Sequence, residues 1–333
     1  MKPPQRQGGM QMRLRSAFVA AALAVTAACG GAGGGGGGNQ AFSQLPELVK
    51  VAVGIDASYA CFFVGDQEGV FRKYGLNVSI DQFEQGGVGQ DAMIAGQEQM
   101  SGSGDATTIT KASKNPDLRI VSIYETSGKY VKVVGRKGVD SVAQMKKIGV
   151  VKASISEYAA SQMLAFNNIK EADVKLVPAS PADLPALLQR GDIDGTVIWE
   201  PWPTKATELG GHVISNTDAF KYSYQQVLNV KQGWLSGHEE YAKRFNQALA
   251  ESCRKVSADQ KGTVAAVSKS TRGNIDEAST KGAIRDIDFT VRAPNSTDLA
   301  NYSKIIDWQL GRGIISTKPD LSTVVTTKYV TSK

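Results

Sequence analysis

The chain has 333 residues, a formal net charge of +6 and two histidines. Four basic residues and no acidic residue precede Cys29, so the remainder of the chain carries a net charge of only +2. That remainder has no basic tract of the kind that binds nucleic acid or an anionic membrane surface. No C-x-x-C or H-x-x-x-H spacing accompanies the histidines, so neither a metal site nor a cofactor is expected.

The first 46 residues have the pattern of an export signal followed by a tether. The apolar run 17–28 is too short to span a bilayer but suits the core of a signal peptide. Thr26-Ala-Ala-Cys29 resembles a bacterial lipobox, so residues 1–28 are predicted to be a signal peptide and Cys29 to be lipidated. A plain secretory signal cut beside Cys29 is the alternative. Six consecutive glycines predict that residues 29–46 form a flexible tether between a membrane and a folded body.

Strand and helix patterns alternate from residue 48 onward. Segments 48–53 and 76–80 have the composition and alternation of strands, with a helical pattern between them that ends at Gly75. The same order returns later in the chain, and segment 96–105 aligns with segment 191–200 at one constant offset. This pattern predicts an α/β fold of two Rossmann-like lobes, each with a parallel sheet covered by helices.

Two crossover strands are predicted to join the lobes. Segment 131–134 is expected to be the last strand of the first lobe, and segment 227–230 the strand that returns the chain. Lobe 1 would then comprise residues 47–134 and 231–333, and lobe 2 residues 135–230. The helical C-terminal part is expected to pack on lobe 1, and a double crossing of this type permits hinge closure.

Three segments carry a family resemblance: QEGVFRKYGL at 67–76, SGDA at 103–106 and LLQRGDIDGTVIWEPW at 187–202. They resemble the sulfonate, nitrate, taurine and thiamine-precursor branch of ABC importer binding proteins. The resemblance implies a periplasmic-binding-protein fold that captures a small solute between two lobes and delivers it to a permease and its ATPase. It favours an aliphatic sulfonate or taurine-like solute and no catalysis. A monomer, held by its lipid at the outer face of the cytoplasmic membrane, is expected.

By position, the resemblance assigns ligand contacts to four loops at the ends of strands. The candidate ligand-binding residues are Ser58, Tyr59, Gly104, Asp105, Ala106, Ser154, Ile155, Ser156, Trp199 and Glu200. Structural roles are open for several of them, because Ser154 and Glu157 have the spacing of a capping box, Asp105 can cap a helix and Trp199 can be core. None of the four loops contains an arginine, so a larger organic ligand stays open beside an oxyanion.

Two other functions stay open. Cys61 lies in the first loop, where it resembles the nucleophile of sulfinate-cleaving desulfinases on the same fold. A reactive thiolate needs a cationic or hydrogen-bonding partner, and segment 102–106 lacks the histidine and arginine of those enzymes. A disulfide between Cys61 and Cys253 is also open. The third function is a ligand-sensing lipoprotein, which the sequence does not separate from an importer component.

Overall fold

The structure is a computed structural model that describes residues 43–45 and 47–330. All of these residues fall within one compact unit, Ala41–Lys333. The expected signal peptide, Cys29 and the glycine run that follows it lie outside the described residues. Among the described helices, none combines the length and the apolar character that a membrane span requires.

Strands and helices alternate through most of the described chain. The strands are β1 (Leu48–Gly54), β2 (Asn77–Phe83), β3 (Met100–Gly104), β4 (Leu118–Ser127), β5 (Val131–Gly135), β6 (Lys147–Val150), β7 (Lys175–Pro178), β8 (Gly195–Trp199), β9 (His212–Asn216) and β10 (Tyr224–Lys231). The α-helices are α1 (Ala60–Gln67), α2 (Val70–Lys73), α3 (Gly86–Ile94), α4 (Asp105–Ala112), α5 (Ile155–Phe166), α6 (Leu184–Arg190), α7 (Trp202–Glu208), α8 (Gln232–Leu235), α9 (Glu239–Ala258), α10 (Gln260–Ser270), α11 (Glu277–Asp286), α12 (Ser296–Gly311) and α13 (Leu321–Val324). Short 3-10 turns occur at Ala57–Tyr59, Val142–Gln144, Glu171–Asp173 and Thr217–Phe220.

The strands form two five-stranded sheets of equivalent topology, ordered β2-β1-β3-β10-β4 and β7-β6-β8-β5-β9. In each sheet the first three strands are parallel and the fourth runs antiparallel to its neighbours. Gly104 and Trp199, which the sequence alignment equates, both end the third strand of their sheet. The predicted repeat of architecture is therefore confirmed. Lobe 1 denotes below the first sheet with its helices, and lobe 2 the second.

The crossings between the sheets differ from the sequence expectation. β5 was expected to end lobe 1 but pairs with β8 and β9 in the second sheet. β10 was expected within lobe 2 but pairs with β3 and β4 in the first sheet. The chain therefore passes between sheets at residues 128–130 and 217–223, before each of these strands. The composition of both segments predicts a strand but carries no information on its pairing partner.

Helix ends follow the local sequence signals with one shift. Gly75 and Gly191 lie in the left-handed region, with φ of +71° and +77°, where other residues are strained. The helix expected to start near Ser180 begins instead at Leu184, with Pro185 in its first turn. Ser180 Oγ donates to a carboxylate oxygen of Asp183 at 2.8 Å, so this segment forms a separate turn before the helix.

The C-terminal helices pack on lobe 1, as predicted. α9 buries one face that includes Phe245, whose ring stacks on Phe71 at 5.1 Å. Cys61 of α1 and Cys253 of α9 form a disulfide with a Cα–Cα distance of 4.6 Å, which resolves the pairing that the sequence left open. The stretch near 275–284, expected to be less regular, contains the regular helix α11.

Candidate functional site

The parallel strands of both sheets direct their carboxyl ends toward one cleft between the lobes. The cavity in this cleft has an empty volume of about 330 Å³, including space open to solvent. Its lining residues are Asp56, Tyr59, Gln85, Gly86, Gly87, Ser103, Gly104, Thr107, Ser154, Ile155, Trp199 and Gln226. The last strand residues of β3 and β8 and the loops after β1, β2 and β6 all contribute. Open parallel sheets bind their ligands at this position.

A second, outer cavity of about 480 Å³ shares four lining residues with the first, namely Gln85, Gly87, Thr107 and Ser154. It adds two lysines from opposite sides of the cleft, Lys111 and Lys152. Lys111 forms an ion pair with Asp91, another lining residue. Lys152 forms no ion pair within the part of the chain that the structure describes. The outer cleft therefore offers one uncompensated positive charge.

Five of the ten candidate residues line the inner cavity: Tyr59, Gly104, Ser154, Ile155 and Trp199. Trp199 closes one side and is 8% exposed. Gly104 of lobe 1 meets Ile155 of lobe 2 so closely that an added Cβ would lie 2.8 Å from Ile155 Cγ2. The lobes are therefore in contact beside the cavity, and a side chain at residue 104 would hold them apart.

The start of α5 shows how one loop combines a capping role with a ligand-facing position. Ser154 Oγ accepts from Ser156 N at 3.1 Å, and a carboxylate oxygen of Glu157 accepts from Ala153 N at 2.7 Å. The capping role that the sequence allowed is thus present. Within residues 43–45 and 47–330, no hydrogen bond uses the N–H of Ser154 or Ile155. These donors, at the positive end of a helix dipole, suit an anion.

The start of α3 offers a second pair of donors from lobe 1. Gly86 and Gly87 are the first two residues of this helix, and both line the cavity. Their N–H groups precede the first bonds of the helix, which run from Val88 and Gly89 to Gln85. Two helix starts from different lobes therefore present main-chain donors to the same cavity.

Asp105 and Ala106 do not line the cavity and are buried in lobe 1. One oxygen of Asp105 accepts from Ala106 N at 2.7 Å, and the other accepts from Gln225 N at 3.2 Å. Burial raises the pKa of Asp105 to about 7, although these bonds and one from Tyr222 oppose the rise. Asp105 therefore links α4 to the strand by which the chain returns to lobe 1.

Ser58, Ser156 and Glu200 also lie outside the lining and stabilise the walls. Ser58 N donates to Asp56 Oδ1 at 2.8 Å. Ser156 Oγ accepts from the backbone before α5 and donates to the backbone of β8, so it joins two elements of lobe 2. Glu200 forms an ion pair with Lys132 at 2.5 Å and caps α7. Ligand contact by these residues stays a prediction.

Several lining residues were not among the sequence candidates: Asp56, Gln85, Gly86, Gly87, Ser103, Thr107 and Gln226. Gly86 and Gly87 follow the carboxyl end of β2, so the strand-end rule could have found them. Gln226 had no such signal, because its strand was assigned to the other sheet. Asp56 Oδ1 accepts from Ser58 N and from Tyr130 Oη at 3.2 Å, and burial raises the pKa of Asp56 to about 6.

Cys61 and the metal-binding residue types give no sign of a catalytic centre in the described residues. Cys61 is fully buried in its disulfide and does not line the cavity. Across residues 43–45 and 47–330, no group of three or more His, Cys, Asp or Glu side chains is placed to hold a metal ion.

The NMT1-like family model matches residues 45–270, more than half of the chain. The chain belongs to the NMT1-like family. This membership confirms the resemblance that the three sequence segments carry, since the family's relatives include binding proteins of that branch.

Curated relatives align over part of their length. The taurine-binding periplasmic protein of Escherichia coli is 24% identical over 211 residues, which cover 62% of this chain and 66% of that protein. The bicarbonate transport ATP-binding protein CmpC of Synechococcus elongatus is 29% identical over 160 residues, or 46% of this chain and 22% of that protein. The chain thus spans less than two thirds of the length of these relatives.

Solved structures share the fold. The periplasmic aliphatic sulphonate binding protein SsuA from Escherichia coli superposes with a TM-score of 0.76 at 16% identity, covering 87% of this chain and 95% of that one. The predicted periplasmic-binding-protein fold, with two α/β lobes, is confirmed.

Proposed function

We propose that this NMT1-like protein is the extracytoplasmic solute-binding component of an ABC importer. It captures a small organic anion or oxyanion in the cleft and delivers it to a permease served by an ATPase. The observation that carries the proposal is a single cavity lined from both lobes by strand ends and helix starts. The relatives named for binding taurine and aliphatic sulphonates favour a sulfonate-type solute.

The anionic group of the solute would lie between the starts of α3 and α5. Main-chain N–H groups of Gly86 and Gly87 from lobe 1, and of Ser154 and Ile155 from lobe 2, serve as its donors. No arginine lines the cavity among the described residues, so helix ends replace the usual basic side chain. Because the donors come from both lobes, the anion stabilises the closed arrangement.

Hinge closure is the proposed mechanism. The solute first meets one lobe, and the other then closes over it through the connections at 128–130 and 217–223. A solute shifts the balance between open and closed forms only if it binds the closed form better. Contacts from Tyr59 and Gln226 in lobe 1 and from Trp199 in lobe 2 would supply that difference.

The desulfinase alternative receives no support from the position of Cys61. Its sulfur is engaged with Cys253 and lies outside the cavity lining, so it has neither the free thiolate nor the access that a nucleophile needs. We therefore propose a binding role without catalysis.

Lipid anchoring at Cys29, a monomeric state and a position at the outer face of the cytoplasmic membrane complete the proposal. A Cys29→Ser variant of the whole chain is expected to leave the membrane fraction after cell disruption, while the wild-type chain stays in it. Continued membrane retention of the serine variant would contradict the anchor and leave the binding role intact.

Thermal unfolding of residues 41–333 with ethanesulfonate, taurine, nitrate, bicarbonate and a pyrimidine tests the binding role. A solute at a hundred times its dissociation constant should stabilise the protein by about 2.7 kcal/mol. We expect a sulfonate to do so. If no anion in the panel changes the unfolding temperature, the proposed function is contradicted.

A further inference from the structure

The lobe 1 wall of the cavity carries hydrogen-bond acceptors that the protein leaves unused. Gln226 donates through Nε2 to Ser58 Oγ at 3.3 Å, while its Oε1 is buried without a partner among the described residues. Ser103 Oγ is likewise buried and unpartnered there. Both residues line the cavity and are at least nine-tenths buried, with exposures of 6% and 1%. Such groups in a native protein call for an explanation.

A buried carboxylate lies in the same wall. Asp56 is 5% exposed and lines the cavity, and both of its hydrogen bonds within the described residues, from Ser58 N and Tyr130 Oη, go to Oδ1. Its second oxygen, Oδ2, has no hydrogen-bond partner in this part of the chain. A buried carboxylate without a cation is costly, and a pairing partner removes much of that cost.

No basic side chain near this wall offsets the charge. The titratable groups that interact with Asp56 are acids and phenols: Glu125 of β4, and Tyr59, Tyr130 and Tyr224. Burial, and then the charge of Asp56, raise the pKa of the Glu125 carboxyl well above its usual value. Lys132 of β5 is paired with Glu200 at 2.5 Å and also lies 3.7 Å from Asp286.

We propose that this wall binds a protonated amine carried by the solute, with Asp56 as its counter-ion and Gln226 Oε1 and Ser103 Oγ as further acceptors. An ammonium group donates three hydrogen bonds and accepts none, which matches these three oxygens. The aromatic rings of Tyr59 and Trp199 also line the cavity and favour a cation over a second anion.

The inference deepens the proposed function and rests on it for the other end of the solute. The starts of α3 and α5 supply donors for an anionic group, whereas Asp56 would repel that group. A solute with an anionic group at one end and an ammonium at the other satisfies both walls of the cavity. The structure thus points to a zwitterionic amine in preference to a simple alkyl anion.

Matched probes separate the two claims. Titration calorimetry at pH 7.5 compares taurine with ethanesulfonate, and β-alanine with propionate, on residues 41–333. We expect the amine of at least one pair to bind at least tenfold more tightly than its partner. Binding of an anion that equals or exceeds its amine partner would overturn the inference and leave the proposed function standing. Absence of binding by all four probes would contradict both.

The Asp56→Asn variant tests the assigned residue. Asparagine keeps the oxygen that accepts from Ser58 N, so the turn at 57–59 retains its cap. We expect the variant to lose the preference for the amine, to within about twofold, while its affinity for the desamino partner is kept or improved. Equal loss for both members of a pair would indicate a structural role for Asp56 and overturn the assignment.

Glu98→Gln is the matched control, because Glu98 is another buried acid of lobe 1 that lies before β3, away from the cavity lining. Its pKa is likewise raised, to about 7, by burial and by Asp81. This variant should retain the full preference for the amine. If Glu98→Gln removes the preference as Asp56→Asn does, the effect is a general loss of buried charge and the assignment fails.

The pH dependence has a sign that only an amine partner gives. Burial raises the pKa of Asp56 to about 6, so its carboxylate is lost as the pH falls through that value. Taurine affinity should therefore fall at least threefold between pH 7.5 and pH 5, and less in Asp56→Asn. A rise in affinity over this range would mean that protonated Asp56 donates to the anion, which contradicts the inference.

Discussion

Lobe 1 and lobe 2 have sheets of equivalent strand order, but they differ in how they are stabilised and in what they present to the cleft. Lobe 1 carries the C-terminal helices, a disulfide and buried acids, and its wall contains Asp56 and Gln226. Lobe 2 presents the start of α5 and the ring of Trp199. Duplicated architecture therefore supplies the cleft, and the unlike walls supply the selectivity for a solute with two different ends.

The largest expected difference between the lobes concerns stability. Replacing both Cys61 and Cys253 by alanine should lower the free energy of unfolding by about 2–5 kcal/mol, because the bond links α1 to the distant helix α9 of lobe 1. Urea denaturation measures the loss, and a reducing agent should lower the stability of the wild-type protein but leave the variant unchanged. An unchanged unfolding midpoint in the variant would mean that packing alone holds α9 on α1.

Buried acids should make the stability of lobe 1 depend on pH. Burial raises the pKa of Asp105 to about 7, so the folded state holds this proton to a higher pH than the unfolded chain does. Its contribution to stability is full below the unfolded pKa near 3.8 and is lost as the pH rises through 7. From pH 5 to pH 7.5 the wild-type protein should therefore lose roughly 2 kcal/mol more than Asp105→Asn. Equal losses in urea titrations of the two proteins would contradict this.

The wall from lobe 2 is tested at its largest side chain. Trp199→Ala should weaken binding of the preferred solute at least tenfold, or about 1.4 kcal/mol, since the ring closes one side of the cavity. Trp202→Ala is the matched control, because Trp202 lies outside the lining and packs beside Lys205, whose Nζ is 4.7 Å from the ring centroid. Similar calorimetric losses in both variants would remove Trp199 from the site.

The contact between the lobes is tested at Gly104. A methyl group there would lie 2.8 Å from Ile155 Cγ2, so Gly104→Ala should weaken solute binding by about 1 kcal/mol by opposing closure. Shortening the facing residue, in Gly104→Ala/Ile155→Ala, should restore part of the loss, which a double-mutant cycle measures. Additive losses would show that the two residues do not act through one another.

Local signals in the sequence predicted most of the fold. Gly75 and Gly191 end helices in the left-handed conformation, and segments 96–105 and 191–200 align because each contains the third strand of a sheet. The sheet assignment of β5 and β10 could not be predicted, because it depends on pairing with strands far along the chain. That same limit hid Gln226, which reaches the cavity only because β10 lies beside β3.

The candidate site was predicted to the level of loops rather than side chains. Strand-end loops are identified by position, which found Tyr59, Gly104 and Trp199. Whether a polar side chain in such a loop faces the cavity or the protein depends on its partners. Asp105 faces Gln225 N, and Glu200 faces Lys132, whereas Asp56 faces the cavity. No spacing rule distinguishes these three carboxylates.

The most direct test of the account compares the thermal stabilisation by sulfonates of the wild-type protein and of variants in each wall. The account predicts that one solute stabilises residues 41–333, and that Trp199→Ala in lobe 2 and Gln226→Ala in lobe 1 each reduce this stabilisation, because both walls contact the same molecule. Stabilisation that survives intact in either variant would place the solute on one lobe or elsewhere, and would contradict capture between the two lobes.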